Sequence, residues 1–559
     1  MRPQDMSSSA GLLHVNDLKI AYAQQRGAET QSWAVNQVSF ALGAGERLGL
    51  VGESGCGKST IGRGLMQLLP PGTQLEGEIN FAGRSVLTLT GKDLQRFRGE
   101  EIALVFQDPM TRLNPLLTVK KHCLETLKVH QPKLSAEEAK TKVLDTLGAV
   151  NIPAERWTQY PHEFSGGMRQ RVAIALALLL DPKMLIADEP TTSLDVTVAA
   201  QILKEVTRLC EERQMGLLLI SHDLALVSEY CDRVAVMYQG KMVELGPAQE
   251  ILTNPQHSYT QSLLQAALHL QTSAAEAPEI EESPPEQSVL LQLQDVQQHY
   301  SLETNFIARL LSKPADAIKA VDGITLNIHA GETLGLVGES GCGKSTLSRS
   351  ILQLVRPTAG SVQFDKRELT TLEGRALRQC RRQIQMIFQD PRACLNPRMK
   401  IGQSVAEPLL IHELATPAEA QSQMHAMLER VGLTPTTDYA QRFPSDISGG
   451  QQQRVAIARA LITQPKLVIC DEPVSMLDAS IQTQVLELMQ SLKDDFNLTY
   501  LFITHDLWVA RFFCDRIAVM NKGKIVEIGP TEEIFTNPQH PYTQTLLGAA
   551  PLLARLQEG

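Results

Sequence analysis

The amino-acid sequence predicts an α/β fold that occurs twice in one chain. Three observations support this prediction: a phosphate-loop motif is present twice, short apolar runs end in an acid or a histidine, and helical patterns separate them. The chain has 559 residues, whereas a typical folding unit has about 150. We therefore expect several hydrophobic cores rather than one.

Composition and charge exclude several other classes of protein. Apolar residues make up 43% of the chain and charged residues 20%, which is typical of globular proteins and not of disordered or coiled-coil chains. The longest apolar run, at 172–180, is shorter than the ~18 residues that a membrane-spanning helix needs. The formal net charge of -10 disfavours binding to a phosphate backbone, so we predict no nucleic-acid partner.

The N-terminus and the cysteines indicate a cytosolic protein. The first residues lack the basic start, the apolar core and the small-residue cleavage site of a secretory signal. Nine cysteines are scattered without a C-x-x-C pair, which argues against a disulfide framework or a zinc site. We expect these cysteines to be reduced thiols.

A tandem repeat organises the chain. Residues 48–61 return almost letter for letter at 334–347, and further landmarks follow at a nearly constant offset. Between the copies, 271–288 contains three prolines, five glutamates and no basic residue, a composition that stays extended and solvated. We predict a first domain at 11–270, an acidic proline-rich linker at 271–288 and a second domain at 289–559.

Short apolar runs predict buried parallel strands that end in an acid or a histidine. Their ranges are Met184–Asp188, Lys466–Asp471, Gly216–His222 and Thr499–His505. Capping boxes predict helices that begin after Ser135, with Glu138, and after Thr416, with Glu419. Each copy is therefore expected to be an α/β core that carries a helical insertion.

Two phosphate loops are predicted by the motif G-x-x-x-x-G-K-S, which follows an apolar strand and precedes a helical segment. Its glycines let backbone N–H groups and a helix N-terminus face phosphate oxygens. The lysine would reach the β- and γ-phosphates, and the next serine would bind Mg²⁺. The predicted nucleotide-binding residues are Gly52, Ser54, Gly55, Gly57, Lys58, Ser59 and Thr60 in the first copy and Gly338, Ser340, Gly341, Gly343, Lys344, Ser345 and Thr346 in the second.

Two adjacent acids end the next strand in each copy. We expect Asp188 and Asp471 to hold Mg²⁺ through water, because a carboxylate at the C-terminal end of a parallel strand faces the ligand crevice. Glu189 and Glu472 follow directly and would polarise the attacking water. An acidic pair that only caps the following helix is the alternative.

Histidines and tyrosines complete the candidate sites. His222 and His505 lie at the same distance from the acids in both copies, and we interpret them as contacts to a γ-phosphate rather than as structural histidines. Tyr22 and Tyr300 each stand five residues after an aspartate, where an aromatic ring could stack on adenine. Core packing is the alternative for both tyrosines.

The order of the motifs resembles that of the ATP-binding-cassette (ABC) ATPases. FSGGM at 164–168 and ISGGQ at 447–451 precede the strand with its acids, and SLD at 193–195 or MLD at 476–478 follows them. The resemblance implies tandem P-loop NTPase cassettes. Each would be a RecA-like α/β core with an antiparallel β subdomain and a helical subdomain.

In that family two cassettes close head to tail around ATP, so the resemblance implies an intramolecular cassette dimer with two composite sites. It also implies that Gln107 and Gln389 bind nucleotide and Mg²⁺ in their own cassettes. Each signature would face the nucleotide of the other cassette. The signature residues are Ser165, Gly166 and Gly167 in the first copy and Ser448, Gly449 and Gly450 in the second. ATP would close the halves, and hydrolysis would release them.

Departures from the family pattern predict that the two sites differ. Met168 stands where the second copy has Gln451, and Val474 and Met476 depart from the pattern of the first copy. Neither change removes a lysine, glutamate or histidine of the candidate sites. We therefore predict two hydrolytic sites of unequal rate.

A narrower resemblance lies in the tails of the two copies. NPQHSYTQSLL at 254–264 and NPQHPYTQTLL at 537–547, with LNP at 113–115 and 395–397, are similar to the ATPases of dipeptide, oligopeptide and nickel importers. This resemblance implies the ATP-hydrolysing motor of a bacterial importer for peptides or glutathione. Some members hold an iron–sulfur centre in the tail, but no cysteine follows Cys514, so we predict no such cluster.

The same resemblance implies the partners and the location. The chain would drive two separate transmembrane permease subunits, fed by an extracytoplasmic substrate-binding protein, from the cytoplasmic face of the bacterial inner membrane. The segments after Gln107 and Gln389 would receive short permease helices. The alternatives are a nickel or metal-chelate importer, a soluble twin-cassette translation or repair ATPase, and a regulatory ATP-binding scaffold. The acidic linker argues against a translation or repair ATPase, because such proteins usually join their cassettes through a long basic arm.

Overall fold

The structure is a computed structural model, and it describes residues 11–23, 32–107, 112–191, 194–272, 288–300 and 318–550. The described residues divide into two compact units, one up to Leu268 and one from His269 to Ala550. Most of the predicted linker lies outside the described residues, but Gln271 and Thr272 belong to a helix. The exact domain boundaries stay a prediction.

Two sheets form the framework of the first unit. Its strands are β1 (Leu13–Ala21), β2 (Val35–Leu42), β3 (Arg47–Val51), β4 (Gln74–Phe81), β5 (Arg84–Ser85), β6 (Ile102–Val105), β7 (Met184–Asp188), β8 (Gly216–Ser221), β9 (Arg233–Tyr238) and β10 (Lys241–Pro247). An antiparallel sheet has the order β2-β1-β4-β5, and a six-stranded sheet has the order β10-β9-β3-β8-β7-β6. In the second sheet only the β9–β10 pair is antiparallel.

Helices flank the six-stranded sheet and form a separate group between β6 and β7. They are α1 (Lys58–Leu65), α2 (Gly91–Arg96), α3 (Val119–His130), α4 (Ala136–Ala149), α5 (Gly166–Leu178), α6 (Val196–Glu212), α7 (Leu224–Tyr230), α8 (Ala248–Thr253) and α9 (Ser258–Thr272). The group formed by α3, α4 and α5 is the predicted helical insertion.

The second unit repeats the two sheets. Its strands are β11 (Val289–Tyr300), β12 (Ile318–His329), β13 (Thr333–Val337), β14 (Ala359–Phe364), β15 (Arg367–Glu368), β16 (Ile384–Ile387), β17 (Leu467–Asp471), β18 (Thr499–Thr504), β19 (Arg516–Asn521) and β20 (Lys524–Pro530). The sheet orders are β12-β11-β14-β15 and β16-β17-β18-β13-β19-β20, the same arrangement as in the first unit.

The helices of the second unit also follow those of the first. They are α10 (Lys344–Ile351), α11 (Gly374–Gln383), α12 (Pro391–Cys394), α13 (Ile401–Ile411), α14 (Pro417–Arg430), α15 (Thr436–Gln441), α16 (Gly449–Leu461), α17 (Ala479–Phe496), α18 (Leu507–Phe513), α19 (Thr531–Thr536) and α20 (Pro541–Ala549). Across the described part of the chain, every helix is too short or too polar to span a membrane.

Apolar side chains cover both faces of the six-stranded sheet, which explains its continuous apolar strands. In β8, Leu217 and Leu219 pack into the core on the side of the helical insertion. Leu218 and Ile220 point the other way and pack into the core shared with the four-stranded sheet. Because both faces of β8 are buried, its sequence shows no alternation of polar and apolar residues.

The predicted α/β class, with an antiparallel sheet and a helical subdomain in each copy, is confirmed. β7 spans Met184–Asp188 as predicted, and β17 begins one residue later than predicted, at Leu467. β8 and β18 end at Ser221 and Thr504, one residue before the histidines that were predicted to end them. The hydroxyl of Ser221 accepts a hydrogen bond from the N–H of Asp223, which begins the turn into the next helix.

Both predicted capping boxes are confirmed. Ser135 accepts a hydrogen bond from the N–H of Glu138, and the Glu138 carboxylate accepts one from the Ser135 N–H. Thr416 and Glu419 make the same pair at the start of α14, where Pro417 is the first helical residue. These hydrogen bonds satisfy backbone donors that have no partner inside a helix.

Replacing Ser135 with alanine should loosen the first turn of α4, because loss of an N-cap costs about 1 kcal/mol, or roughly a fivefold change in the opening equilibrium. Hydrogen–deuterium exchange of the first-turn amides should therefore become about fivefold faster. Thr141→Ala, at an exposed position of the same helix, is the control and should not accelerate that exchange. Equal exchange in the wild type and in Ser135→Ala would contradict the role of this cap.

Candidate functional site

The phosphate loop of each unit is held tightly against the neighbouring strand. Gly52 begins the first loop after β3 with φ of +151°, and a Cβ there would lie 2.2 Å from the carbonyl oxygen of Met237 in β9. Gly338 has φ of +155° and the same 2.2 Å approach to the carbonyl of Met520 in β19. Both positions therefore require glycine, as the motif predicted.

Each loop is open at its second glycine. A Cβ added at Gly55 or Gly341 would meet no atom within 4 Å, although φ is +83° and +78°. The loop backbone then enters α1 or α10 directly at the lysine. Successive N–H groups and a helix N-terminus on one side of a loop form an anion-binding surface.

The phosphate-loop lysines are buried and rest on backbone carbonyls of their own loops. The ammonium of Lys58 donates to the carbonyl oxygens of Gly52 at 2.6 Å and Glu53 at 2.9 Å. Lys344 makes the same two hydrogen bonds at 2.5 and 3.1 Å. An ammonium that is hydrogen-bonded to neutral carbonyls can exchange these partners for phosphate oxygens.

The loop serine and the first acid of the strand lie together in both units. The hydroxyl of Ser59 donates to the Asp188 carboxylate at 2.8 Å, and Ser345 donates to Asp471 at 3.1 Å. Burial raises the pKa of both aspartates, and the serine hydrogen bonds partly oppose this rise. Hydroxyl and carboxylate oxygens are donors that Mg²⁺ prefers, and the ion usually takes its remaining ligands from phosphate and water.

The second acid is turned away from the first by a left-handed backbone. φ is +47° at Glu189 and +50° at Glu472, a conformation that residues other than glycine adopt at a cost. The N–H of each glutamate donates at 2.9 Å to a carbonyl of the adjacent strand, Ile220 or Ile503. The sheet thus holds the strained turn that separates the two carboxylates.

Each glutamate lies against the predicted glutamine and histidine. The Gln107 side-chain amide donates to Glu189 at 2.7 Å, and that of Gln389 donates to Glu472 at 2.9 Å. The structure therefore places these glutamines beside the second acid, whereas the resemblance predicted them as ligands of nucleotide and Mg²⁺. An amide donor holds a carboxylate in one orientation, and that ligand role stays a prediction.

The two units differ at the histidine. His222 Nδ1 lies 3.6 Å from the Glu189 carboxylate, and His505 Nδ1 lies 3.1 Å from that of Glu472. Burial by itself would lower the pKa of His505, but the Glu472 carboxylate outweighs it and raises that pKa. Burial likewise opposes ionisation of Glu472, and His505 outweighs it and lowers the pKa of Glu472. The second unit therefore holds the more strongly coupled pair.

The predicted adenine-stacking tyrosines lie on the surface. The exposed fraction is 36% for Tyr22 and 40% for Tyr300, which contradicts the core-packing alternative. The Tyr22 hydroxyl is hydrogen-bonded to the Thr60 hydroxyl at 2.9 Å, so this tyrosine adjoins the phosphate loop. Stacking on adenine stays a prediction for both rings.

The signature serines begin α5 and α16. Ser165 accepts a hydrogen bond from the N–H of Met168, and Ser448 accepts one from the N–H of Gln451. Only Gln451 completes a capping box, because its side-chain oxygen accepts from the Ser448 N–H at 3.0 Å and a thioether has no such acceptor. Gly166, Gly167, Gly449 and Gly450 form the first turns of the two helices.

Two parts of the predicted sites stay predictions. Ser193 lies outside the described residues, whereas Met476 is described and exposed. The pairing of each signature with the phosphate loop of the other copy also stays a prediction.

Two functional candidates were missed as individual residues. The hydroxyls of Tyr259 and Tyr542, which belong to the two tails, accept hydrogen bonds from N–H groups of the phosphate loops. The signal was present, because both tails contain the same tyrosine after NPQH and one further residue. As a local pattern, however, the tail motif indicates a family and not a contact with the phosphate loop.

Comparison with protein families gives two matches to each of two families. Residues 35–192 and 321–475 match the family described as ABC transporter. Residues 243–292 and 526–558 match the C-terminal region of oligopeptide/dipeptide transporters. Each match to the first family includes a phosphate loop and both acids.

Similar proteins span nearly the whole chain. The glutathione import ATP-binding protein of Pectobacterium atrosepticum is 43% identical over 564 residues, which covers 97% of this chain and 90% of that protein. The peptidoglycan transport ATP-binding protein of Agrobacterium fabrum is 43% identical over 544 residues, with 96% of each covered. Among solved structures, a post-hydrolysis dimer of an ATP-binding cassette bound to ADP and Pi is 30% identical over 43% of this chain and 99% of its own, with a TM-score of 0.39.

Replacing Gly55 with alanine should abolish one nucleotide site, because its methyl group would lie in the open space of the first phosphate loop, where we expect the phosphates. Equilibrium dialysis with a labelled ATP analogue should show the bound nucleotide falling from two to one per chain. Gly83→Ala is the matched control, since Gly83 has φ of +77° and equal free space but lies in the β4–β5 turn. The control should bind two nucleotides, and equal binding by the two variants would contradict the assignment of the site.

Proposed function

The chain belongs to the ABC transporter ATPase family, and we propose that it is the ATP-hydrolysing motor subunit of a bacterial importer for peptides, including glutathione. The ATPase assignment depends on one observation. The loop lysine, the loop serine, the two acids, the glutamine and the histidine lie together at the same edge of each six-stranded sheet. ATPases of this family bind ATP, typically with Mg²⁺. We assign one ATP-binding site to each cassette.

We assign the chemistry within each cassette to its own side chains. Lys58 would exchange its loop carbonyls for phosphate oxygens, and Glu189 would accept a proton from the water that attacks the γ-phosphorus, giving ADP and phosphate. Ser59 and Asp188 would hold Mg²⁺, which when bound neutralises charge on the phosphate oxygens. In the second cassette Lys344, Glu472, Ser345 and Asp471 take these roles.

Gln107 and His222 orient the Glu189 carboxylate and do not themselves act as the base. Gln107 donates to Glu189, and His222 lies on the opposite oxygen of the same carboxylate. Gln389 and His505 both lie against the same oxygen, Oε2, of the Glu472 carboxylate. A γ-phosphate contact by the histidines is the proposed second role, because an imidazole N–H can donate a hydrogen bond to a phosphate oxygen.

The two cassettes should hydrolyse ATP at unequal rates. His505 is closer to its glutamate than His222 is, and the charged pair should hold Glu472 in one orientation more firmly. The signature helix also differs, because Gln451 completes a capping box that Met168 cannot form. Both cassettes retain every acid and base that the chemistry needs.

The peptide class of substrate rests on the tails and the relatives. Each catalytic core is followed by a match to the C-terminal region of oligopeptide/dipeptide transporters. The relatives named above are a glutathione importer and a peptidoglycan transporter, whose cargoes share peptide linkages. A nickel or metal-chelate cargo is the less favoured alternative.

A groove in the first cassette supports coupling to a membrane subunit. A cavity of about 330 Å³ lies beside the segment that follows β6, between the sheet and the helical insertion. Its lining is mostly apolar and includes Phe106, Leu113, His130 and Leu180. Leu116, in the same segment, is 82% exposed. We assign this groove to a short cytoplasmic helix of a permease.

This docking gives the proposed assembly. Two permease subunits would receive the two cassettes, and an extracytoplasmic binding protein would deliver the cargo. The ATPase would then lie peripherally on the cytoplasmic face of the inner membrane. Because the described helices include none that could cross a membrane, the channel in this assembly is assigned to the permeases.

Changing both glutamates, Glu189→Gln and Glu472→Gln, should lower the ATPase rate of the assembled complex by roughly 10²–10⁴-fold, since an amide cannot accept the proton from water. ATP binding should remain. The matched control changes two exposed glutamates of the same chain, Glu78→Gln and Glu533→Gln, and should hydrolyse ATP like the wild type. An unchanged rate in the double Glu189/Glu472 variant would contradict the assigned base.

Leu116→Asp should weaken binding to membranes that contain the permeases, because a charge in the exposed segment that follows Leu113 of the groove would lose its hydration on docking. Co-sedimentation with permease-containing vesicles measures this loss, and the amount bound should fall severalfold. Ile528→Asp, at an exposed position on β20, is the control and should bind like the wild type. Co-sedimentation of the wild type with ribosomes but not with the vesicles would contradict the importer assignment.

A further inference from the structure

The C-terminal tail of each cassette contacts the phosphate loop of the same cassette. In the first, the Tyr259 hydroxyl at the start of α9 accepts a hydrogen bond from the N–H of Glu53 at 3.1 Å. In the second, the Tyr542 hydroxyl in α20 accepts one from the N–H of Glu339 at 3.2 Å. These partners lie 206 and 203 positions apart in the sequence, so each contact is a product of the tertiary fold.

The tail is built in a way that fixes the tyrosine. In β10, the Glu244 carboxylate accepts hydrogen bonds from the N–H groups of Gln256 at 2.7 Å and His257 at 3.2 Å. His257 Nδ1 then accepts the N–H of Tyr259 at 3.1 Å. The second cassette repeats this arrangement with Glu527, Gln539, His540 and Tyr542. The NPQH motif therefore binds the carboxylate of the strand glutamate and, through its histidine, fixes the backbone of the tyrosine.

The two cassettes support this ring differently. Tyr238, the last residue of β9, stacks on Tyr259 with 4.2 Å between ring centroids. The corresponding last residue of β19 is Asn521, so this stacking partner is replaced by an amide side chain. The hydrogen bond from the phosphate loop is nevertheless present in both cassettes, so it does not depend on the stacking of the ring.

The tyrosine holds the same peptide group that holds the lysine. The peptide between Gly52 and Glu53 donates its N–H to Tyr259, and its carbonyl accepts the Lys58 ammonium at 2.6 Å. In the second cassette, the peptide that begins at Gly338 donates to its tyrosine and accepts its lysine at 2.5 Å. Because a peptide group is planar, fixing its N–H also fixes the direction of its carbonyl.

We propose that Tyr259 and Tyr542 are positioning residues for ATP, so that the tail of each cassette sets the nucleotide affinity of that cassette. Each hydroxyl fixes the peptide plane on which the phosphate-loop lysine rests, and thereby the start of the loop whose N–H groups face the phosphates. The tyrosines touch neither the reacting phosphorus nor the attacking water. The inference rests on the proposed function only in requiring that both cassettes bind ATP.

The test removes one hydroxyl at a time and retains the ring. Tyr259→Phe is made in a full chain that also carries Lys344→Ala, so that only the first site is read, and Tyr542→Phe is made together with Lys58→Ala. Titration with a fluorescent ATP analogue and Mg²⁺ gives the dissociation constant. Loss of one hydrogen bond of ordinary strength should raise it roughly two- to tenfold relative to the parent lysine variant. In the assembled complex, the KM for ATP should rise while kcat is retained.

Tyr500→Phe is the matched control for the second cassette. Its hydroxyl is likewise hydrogen-bonded to a backbone group, here as the donor to the carbonyl of Met489 at 3.2 Å, but it is buried in β18 away from the phosphate loop. This control should lower the unfolding midpoint and leave the affinity for ATP unchanged. Tyr542→Phe should lower the affinity for ATP and leave the unfolding midpoint unchanged, because its hydroxyl is only partly buried.

Two results would overturn the inference. One is an unchanged ATP affinity in both Tyr259→Phe and Tyr542→Phe. The other is an equal loss of affinity in Tyr500→Phe, which would show a general effect of stability. A chain whose ATP affinity responds as expected but which drives no peptide uptake would contradict the proposed importer and leave this inference supported.

Discussion

The close fit of each phosphate loop against the end of the adjacent strand is the constraint on which both sites depend. At Gly52 and Gly338 a side chain would collide with a backbone carbonyl at 2.2 Å, so the loop can take its path only with glycine there. That path turns the loop back over its own carbonyls, where the lysine binds, and leaves the opposite side open at Gly55 and Gly341. The proposed anion-binding surface is therefore formed mainly by the backbone of the loop.

Strand order supplies the rest of the chemistry. β3 lies between β9 and β8, and β7 lies next to β8, so the phosphate loop, the histidine and the two acids follow neighbouring parallel strands. Their carboxyl ends share one edge, which brings Ser59 to Asp188. The left-handed turn at Glu189 then directs the second acid to Gln107 and His222 instead. One strained residue thus separates the carboxylate beside the loop serine from the carboxylate beside the glutamine and the histidine.

Much of this arrangement could be predicted from the sequence, because the relevant signals are local or repeated. The phosphate loops, the strands Met184–Asp188 and Leu467–Asp471, and the capping boxes depend on short patterns. The backbone of Glu189 could not be predicted, since its positive φ is imposed by the carbonyl of Ile220 on the neighbouring strand. The contact between Tyr259 and the phosphate loop was also hidden, because it joins residues that only the complete fold brings together. The difference between His222 and His505 depends on packing that no motif records.

If ATP hydrolysis by this chain drives peptide import, the coupling should be measurable as transport in reconstituted membranes. The chain would be assembled with its permeases in proteoliposomes, supplied with the binding protein, and assayed for uptake of labelled dipeptide, labelled glutathione or a nickel chelate. A peptide-class cargo should accumulate only when Mg²⁺ and ATP reach the side of the membrane that carries the ATPase. ATP-dependent uptake of the nickel chelate alone, or ATP hydrolysis without uptake of any peptide, would contradict it.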